Sequence, residues 1–269
     1  MQFLKKSLLA GSVLLAASVS QAANISIGIS YDPSAEADYK ALLKSGYVQE
    51  NFDNLDPQGS GSAYYSGGSH LENQQRSWEN SSPSFSTDVG TFSLIQGGHK
   101  SVNGLDSNDG ANLKIESAYN RNTKTGTGEF GREALSTYEG DFWLDSNDAR
   151  EVTWDFNSGA VAGRVFDSFG FYIADPADVA AQLTLKFSDG SYSDAYVIPF
   201  QQSNSNVGYV TVKSDANIVG GTLTFDNSAN NDGWGIDDVT VGRLPEPGTL
   251  LLMGLGLLGL GAARRLAVK

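Results

Sequence analysis

The sequence predicts an all-β protein, a jelly-roll or β-sandwich with one short helix near its start. Three observations carry that expectation. Apolar and polar residues alternate in short stretches, as where Leu183, Leu185 and Phe187 interleave with Thr184, Lys186 and Ser188. Gly, Asn, Asp and Ser separate these stretches, and Gly alone supplies 31 of 269 residues, well above its usual share of about 7%. No long helical pattern alternates with the strands, which excludes a doubly wound α/β fold.

In chain order, Asn24 to Ile29 reads as the first strand. Ser34 to Lys44 reads as the helix: Pro33 precedes it, Ser34 can cap it, and Ala35, Tyr39, Leu42 and Leu43 share one face before Gly46 ends it. Strands are then expected at Val48 to Phe52, Val89 to Ile95, Leu113 to Glu116, Val152 to Phe156 and Ser168 to Ile173. Leu183 to Phe187 turns at Asp189-Gly190 and returns as Tyr192 to Phe200. Tyr209 to Lys213, Leu223 to Phe225 and Ile236 to Val241 complete the set. Ser101 to Tyr138 is poor in apolar residues and reads largely as a rim loop system. Leu105-Asp-Ser-Asn-Asp109 recurs as Leu144-Asp-Ser-Asn-Asp148, and both copies read as turns made by short polar side chains.

Both ends carry targeting features. Lys5 and Lys6 precede an apolar run from Ser7 to Val19, and Ser20 and Ala22 place small residues at −3 and −1. This is the order of a cleavable signal peptide, residues 1–22, cut after Ala22. At the other end Pro245-Glu246-Pro247 precedes sixteen largely apolar residues, 248–263, and then Arg264, Arg265 and Lys269. Sixteen residues fall short of the ~20 of an untilted span. The physics suits either an ordinary tail-end membrane helix or a removable anchor. The basic tail stays on the cytoplasmic side.

The order Pro245-Glu246-Pro247, Leu/Gly-rich helix, Arg264-Arg265 resembles the PEP-CTERM sorting signal of Gram-negative bacteria. That resemblance implies an exported protein, passing through the inner membrane by its C-terminal transmembrane helix. It implies processing by an exosortase, a membrane-embedded cysteine transpeptidase-like enzyme, and delivery to the cell surface or extracellular matrix. The chain then divides into a signal peptide (1–22), a β-sandwich domain (23–244) and a sorting signal (245–269).

Composition excludes several functions. With no cysteine there is no disulfide framework, no Cys-based metal centre and no thiol nucleophile. Eighteen Lys and Arg against 31 Asp and Glu give −13, and such a chain is not expected to hold nucleic acid. Five of those cations sit in the targeting ends and none of the acids precedes residue 23 or follows 247, so segment 23–247 carries −18.

No catalytic constellation stands out. Gly126-Thr-Gly128-Glu-Phe-Gly131 matches the letters of a dinucleotide fingerprint, but polar residues precede it where a buried strand is required. Gly67-Gly68-Ser69-His70-Leu71 lacks the last Gly of a nucleophile elbow. The only histidines, His70 and His99, show no triad or zinc spacing. Glu50 with Asp53, or Glu129 with Glu133, offer carboxylate pairs for glycoside chemistry, and nothing singles them out among 31 acids. The expectation is a protein that is not an enzyme and needs no cofactor.

Calcium is the metal best suited to an acidic exported chain. Ser228 to Gly233 opens like an EF-hand loop, but Val239 stands where its Glu belongs. Phe52-Asp53 and Ile236-Asp237-Asp238-Val239 resemble the early and late edge strands of jelly-roll carbohydrate-binding and MAM-like domains. The resemblance implies that these strands join and that Asp53 and Asp238 border a calcium site; otherwise Ile236 and Val239 pack inward and the acids face water. Among the tryptophans, Trp154 reads as core, whereas Trp78 and Trp143 lie beside polar residues as candidate sugar-stacking surfaces. Thr123, Thr125 and Thr127 make one short alternating run, too little for an ice-binding array. The expected function is a non-catalytic β-sandwich with a structural, adhesive or exopolysaccharide-associated role. The alternatives are a carbohydrate-binding module and a secreted polysaccharide-degrading enzyme.

Overall fold

The computed structural model describes residues 23–55, 77–97, 112–117, 119–120, 125–126, 142–145, 149–174, 180–198, 207–225 and 234–245. Among them the chain runs β1 (Ile25–Ser30), α1 (Ala35–Leu42), β2 (Val48–Glu50), β3 (Ser77–Ser82), β4 (Ser84–Thr87), β5 (Gly90–Gln96), β6 (Leu113–Ser117), β7 (Tyr119–Asn120), β8 (Thr125–Gly126), β9 (Trp143–Asp145), β10 (Glu151–Asp155), β11 (Phe166–Ala174), β12 (Gln182–Phe187), β13 (Tyr196–Val197), β14 (Val207–Thr224) and β15 (Gly235–Gly242). The protein is mostly β-strand with one short helix, as the alternating pattern requires.

Thirteen strands form one continuous sheet in the order β3-β6-β9-β15-β11-β14-β10-β5-β4. β1 and β12 also pair with β14, β13 pairs with β12, and β2 pairs with β15. β7 and β8 make a separate two-stranded sheet, so the stretch read as rim loops holds a short hairpin. The described pairings are antiparallel.

The expectation that Tyr209 to Lys213 and Leu223 to Phe225 are separate strands is corrected: both belong to the 18-residue β14. Its first half pairs with β1 and β11, and its second half with β10 and β12. Between Ser214 and Ile218 the register to β11 shifts, and the strand bends there. Ser214 to Asn217 and Gly220-Gly221 look like turn residues, yet the glycines serve close packing. A Cβ on Gly220 would come within 2.4 Å of the Trp154 carbonyl oxygen, and one on Gly221 within 2.9 Å of the Thr184 carbonyl oxygen. Bare backbone lets β10 and β12 flank the second half of β14 at hydrogen-bonding distance.

Because one strand serves both halves, the sheet curls on itself until it is nearly barrel-shaped. The apolar side chains meet inside. Trp154 on β10 stacks on Phe92 at 4.9 Å and lies edge-on to Phe156 at 4.5 Å and Phe169 of β11 at 5.1 Å. Its indole N–H donates to the Val89 carbonyl at 2.9 Å, so a buried polar atom is satisfied. Phe225 stacks on buried Trp234 at 4.1 Å where β14 ends and β15 begins.

Helix α1 lies on the outer face of β11 and β14. Tyr39 packs against Tyr209, and its hydroxyl lies 2.9 Å from Ser168 Oγ, which itself donates to the Val212 carbonyl. Tyr209 fits because its ring crosses Gly170, where a Cβ would sit 2.7 Å from the phenol oxygen. The helix starts differently from expectation. Ser34 occupies the N-cap position but makes no capping bond; instead Asp32 accepts from the Ser34 N–H and the Asp32 carbonyl accepts from Ala35 N–H.

Three smaller expectations are also corrected. The Asp189-Gly190 turn forms, with Gly190 at φ +86, but the returning strand is only Tyr196–Val197, with an isolated bridge at Tyr192. Leu144-Asp145 ends a buried strand rather than opening a turn. β3, β4 and β9 escaped the sequence reading: β3 and β4 are rich in Ser, and β9 is only three residues long.

Gly220→Ala should place a methyl group against backbone on β10, which has no room to yield. It should cost about 3 kcal/mol, at the upper end of overpacking, and urea unfolding should show the midpoint drop.

Candidate functional site

The ends of the described domain meet at one pole. Asn24 precedes β1, and its backbone N–H and side-chain amide donate to the two Asp215 carboxylate oxygens at 2.8 and 2.6 Å. Asp215 N–H returns a bond to the Asn24 carbonyl at 3.3 Å. Asp215 sits at the β14 bend, so the bend itself fastens the N-terminal strand. At the other end, Leu244 N–H donates to Asp167 at 2.8 Å, and the Arg243 guanidinium lies 3.9 Å from the same carboxylate. Lys44 N–H donates to the Arg243 carbonyl at 2.8 Å, joining the segment after α1 to the same place. Asn24, Asp167, Lys213, Asp215, Arg243 and Pro245 line one cleft.

Pro245 is exposed, and the described chain stops there. Of the expected sorting residues, Pro245 is thus placed just beyond a fastened Leu244. Glu246, Pro247, Arg264 and Arg265 lie outside the described residues, as do the cleavage residue Ala22 and the apolar runs 7–19 and 248–263. No helix among the described residues is long and apolar enough to cross a membrane.

The strands expected to border calcium do join. β2 pairs with β15, with Glu50 opposite Val239. Ile236 and Val239 are buried, Asp237 is buried with them, and Asp238 is half-buried in the left-handed region at φ +46. Asp53 begins a 3-10 turn, Asp53–Leu55, and its carboxylate accepts from Phe142 N–H at 3.0 Å and Asn51 Nδ2 at 2.8 Å. Calcium takes six to eight oxygens. Both Asp53 oxygens already serve protein donors, and among the described residues no three His, Asp or Glu side chains gather for a metal.

Glu50, which sequence reading offered only as half of an arbitrary carboxylate pair, holds this seam. It is 2% exposed. Its carboxylate accepts from Phe52 N–H at 2.7 Å and Asp88 N–H at 2.9 Å, tying β2 to the turn before β5. Those bonds steady Phe52, a buried residue at φ +59 whose ring lies 6.0 Å from Phe92. Burial raises the Glu50 carboxyl above its ordinary 4.5, and the backbone N–H donors oppose that rise. A Glu next to buried Phe52 was the available signal, but its partner Asp88 is 38 residues away and no local spacing reveals it.

The candidate sugar platforms are corrected in part. Trp143 is 2% exposed and cannot stack on a ligand; its indole N–H points to Asp145 Oδ2 at 3.5 Å. Trp154 is core, as expected, and Trp234 is also buried. The Trp78 side chain, both histidines, Glu129, Glu133 and residues 228–233 lie outside the described set. Gly126 belongs to strand β8, and residues 127–131 lie outside.

With the geometry in place, comparison with protein families identifies one segment. A PEP-CTERM protein-sorting motif matches residues 244–265. The match begins at Leu244, the residue fastened by Asp167, and it marks the chain for export through exosortase sorting. Comparison with curated proteins and with solved structures gave no match.

These contacts predict two outcomes. Asp215→Ala should release the strand end at Asn24, raising amide exchange at residues 24–26 with a global cost of about 1 kcal/mol, read by hydrogen–deuterium exchange. For Glu50, the folded state holds a proton more tightly than the unfolded state. Stability should therefore fall as pH rises from 4.5 through the raised folded value. Glu50→Gln should lack this decline in pH-dependent thermal unfolding.

Proposed function

We propose that this chain is an exported cell-surface or extracellular-matrix protein whose β-domain works by non-catalytic display. Its leader, residues 1–22, is cut after Ala22. The apolar run 248–263 then holds the protein in the inner membrane until an exosortase-type enzyme acts at Pro245-Glu246-Pro247. The observation that carries the reading is the sorting motif beginning at Leu244, with exposed Pro245 standing just outside a fastened domain end. A processing enzyme needs an accessible segment, and Pro245 is exposed next to Leu244, whose N–H is held by Asp167.

The domain would act in the envelope or exopolysaccharide as a rigid acidic body. Its −18 over residues 23–247 suits hydrated polymer surroundings. Trp143, Trp154 and Trp234 are all buried, so none of these three can stack on a sugar.

Replacing Pro245, Glu246 and Pro247 together with Ala should leave the protein unprocessed in the inner membrane. Fractionation with immunoblotting reads the result, and normal surface delivery of this variant would overturn the sorting reading.

A further inference from the structure

We propose that the cleft between β1, the bend of β14 and the end of β15 binds a neutral sugar unit, the repeating chemistry of an uncharged polysaccharide. This deepens the reading of a protein displayed among extracellular polymers and rests on it for where such a sugar is met. The cleft has a volume of about 450 Å³, which lies in the range of small-molecule sites.

The charges of the lining select against an ion. Lys213 and Arg243 share the cleft with Asp167 and Asp215, so the lining is neutral within a segment of −18. Both carboxylates are already engaged. Asp215 holds Asn24 with its two oxygens, and Asp167 holds Leu244 N–H and lies beside Arg243. A charged ligand has to compete with these contacts. A hydroxyl does not, because an ionised carboxylate offers about four lone-pair sites and each Asp215 oxygen spends one on Asn24. The remaining sites can accept from sugar O–H groups, and a hydrogen bond to an ionised acceptor is stronger than a neutral one.

Donors stand in the same cleft. The half-buried Lys213 ammonium has no hydrogen-bond or ion-pair partner among the described residues. The Asn217 side chain offers both a donor and an acceptor, and exposed Ser26 adds a hydroxyl. Neighbouring sugar hydroxyls each donate and accept, so they need this mixture rather than one sign of charge. Ile25 and Leu244, both half-buried, and exposed Pro245 add carbon surface for the C–H face of the ring.

Saturation-transfer NMR on the full chain in a sugar-free detergent tests the site. The probes are the methyl glycosides of glucose, galactose and mannose, which mimic a unit within a chain, set against glucuronate, glucosamine and alanine. Transfer to at least one methyl glycoside is expected, and weaker transfer to the three charged compounds. Lys213→Ala should weaken glycoside binding about fivefold, the loss of one hydrogen bond, with little change in the unfolding midpoint. Ser26→Ala, at an exposed position, should weaken it in the same direction and serves if the first variant fails to fold. No transfer to any methyl glycoside overturns the site, and so does wild-type affinity in a folded variant. Preference for a charged compound overturns the assignment to a neutral sugar. None of these results touches the sorting reading, which the fractionation of the Pro245-Glu246-Pro247 variant decides separately.

Discussion

β14 is hydrogen-bonded to four strands, β1 and β11 along its first half and β10 and β12 along its second. A strand that serves both halves of a sheet cannot let them separate. The curl then forces Trp154 toward Phe169 and builds the core from both sides. It also places Asp215 at the outside of the bend, where it captures Asn24. Core, curvature and the location of the chain ends follow from the same bend. A sequence able to make it needs Gly220 and Gly221 where the neighbours press closest.

The outer face obeys a second constraint. Tyr209 points away from the core, and an exposed tyrosine row on a sheet would be wet on one side. Helix α1 covers it, and Gly170 leaves the space in which its ring lies. Burial holds the phenols of Tyr39 and Tyr209 well above the ordinary tyrosine range, so both stay neutral at physiological pH. The Tyr39–Ser168–Val212 chain of bonds gives the helix one orientation on the sheet rather than a loose apolar contact.

Most strands were legible because their alternation is local: β1, β5, β6, β10, β11, β12 and β15 begin within two residues of where the pattern places them. The bend in β14 was not, because Ser214 to Asn217 reads the same whether a chain turns or merely kinks. Trp143 was misjudged for a related reason. Its sequence neighbours are polar, but Asp145 is itself buried between β6 and β15, so local polarity said nothing about exposure. The joining of β2 with β15 was foreseen from Phe52-Asp53 and Ile236 to Val239, whereas the role of Glu50 depended on a distant backbone N–H. The sorting segment was legible because its three parts lie in order along the chain.

The position of β15 has a mechanical consequence. While the domain is still joined to the segment beyond Pro245, any pull on it enters through Leu244 and runs along β15. That strand has β11 on one side and β2 and β9 on the other. Antiparallel hydrogen bonds lie across the strand axis, so the load reaches them as shear, shared by several at once rather than broken one after another. A body dragged through that segment would thus be held by a strand braced on both sides.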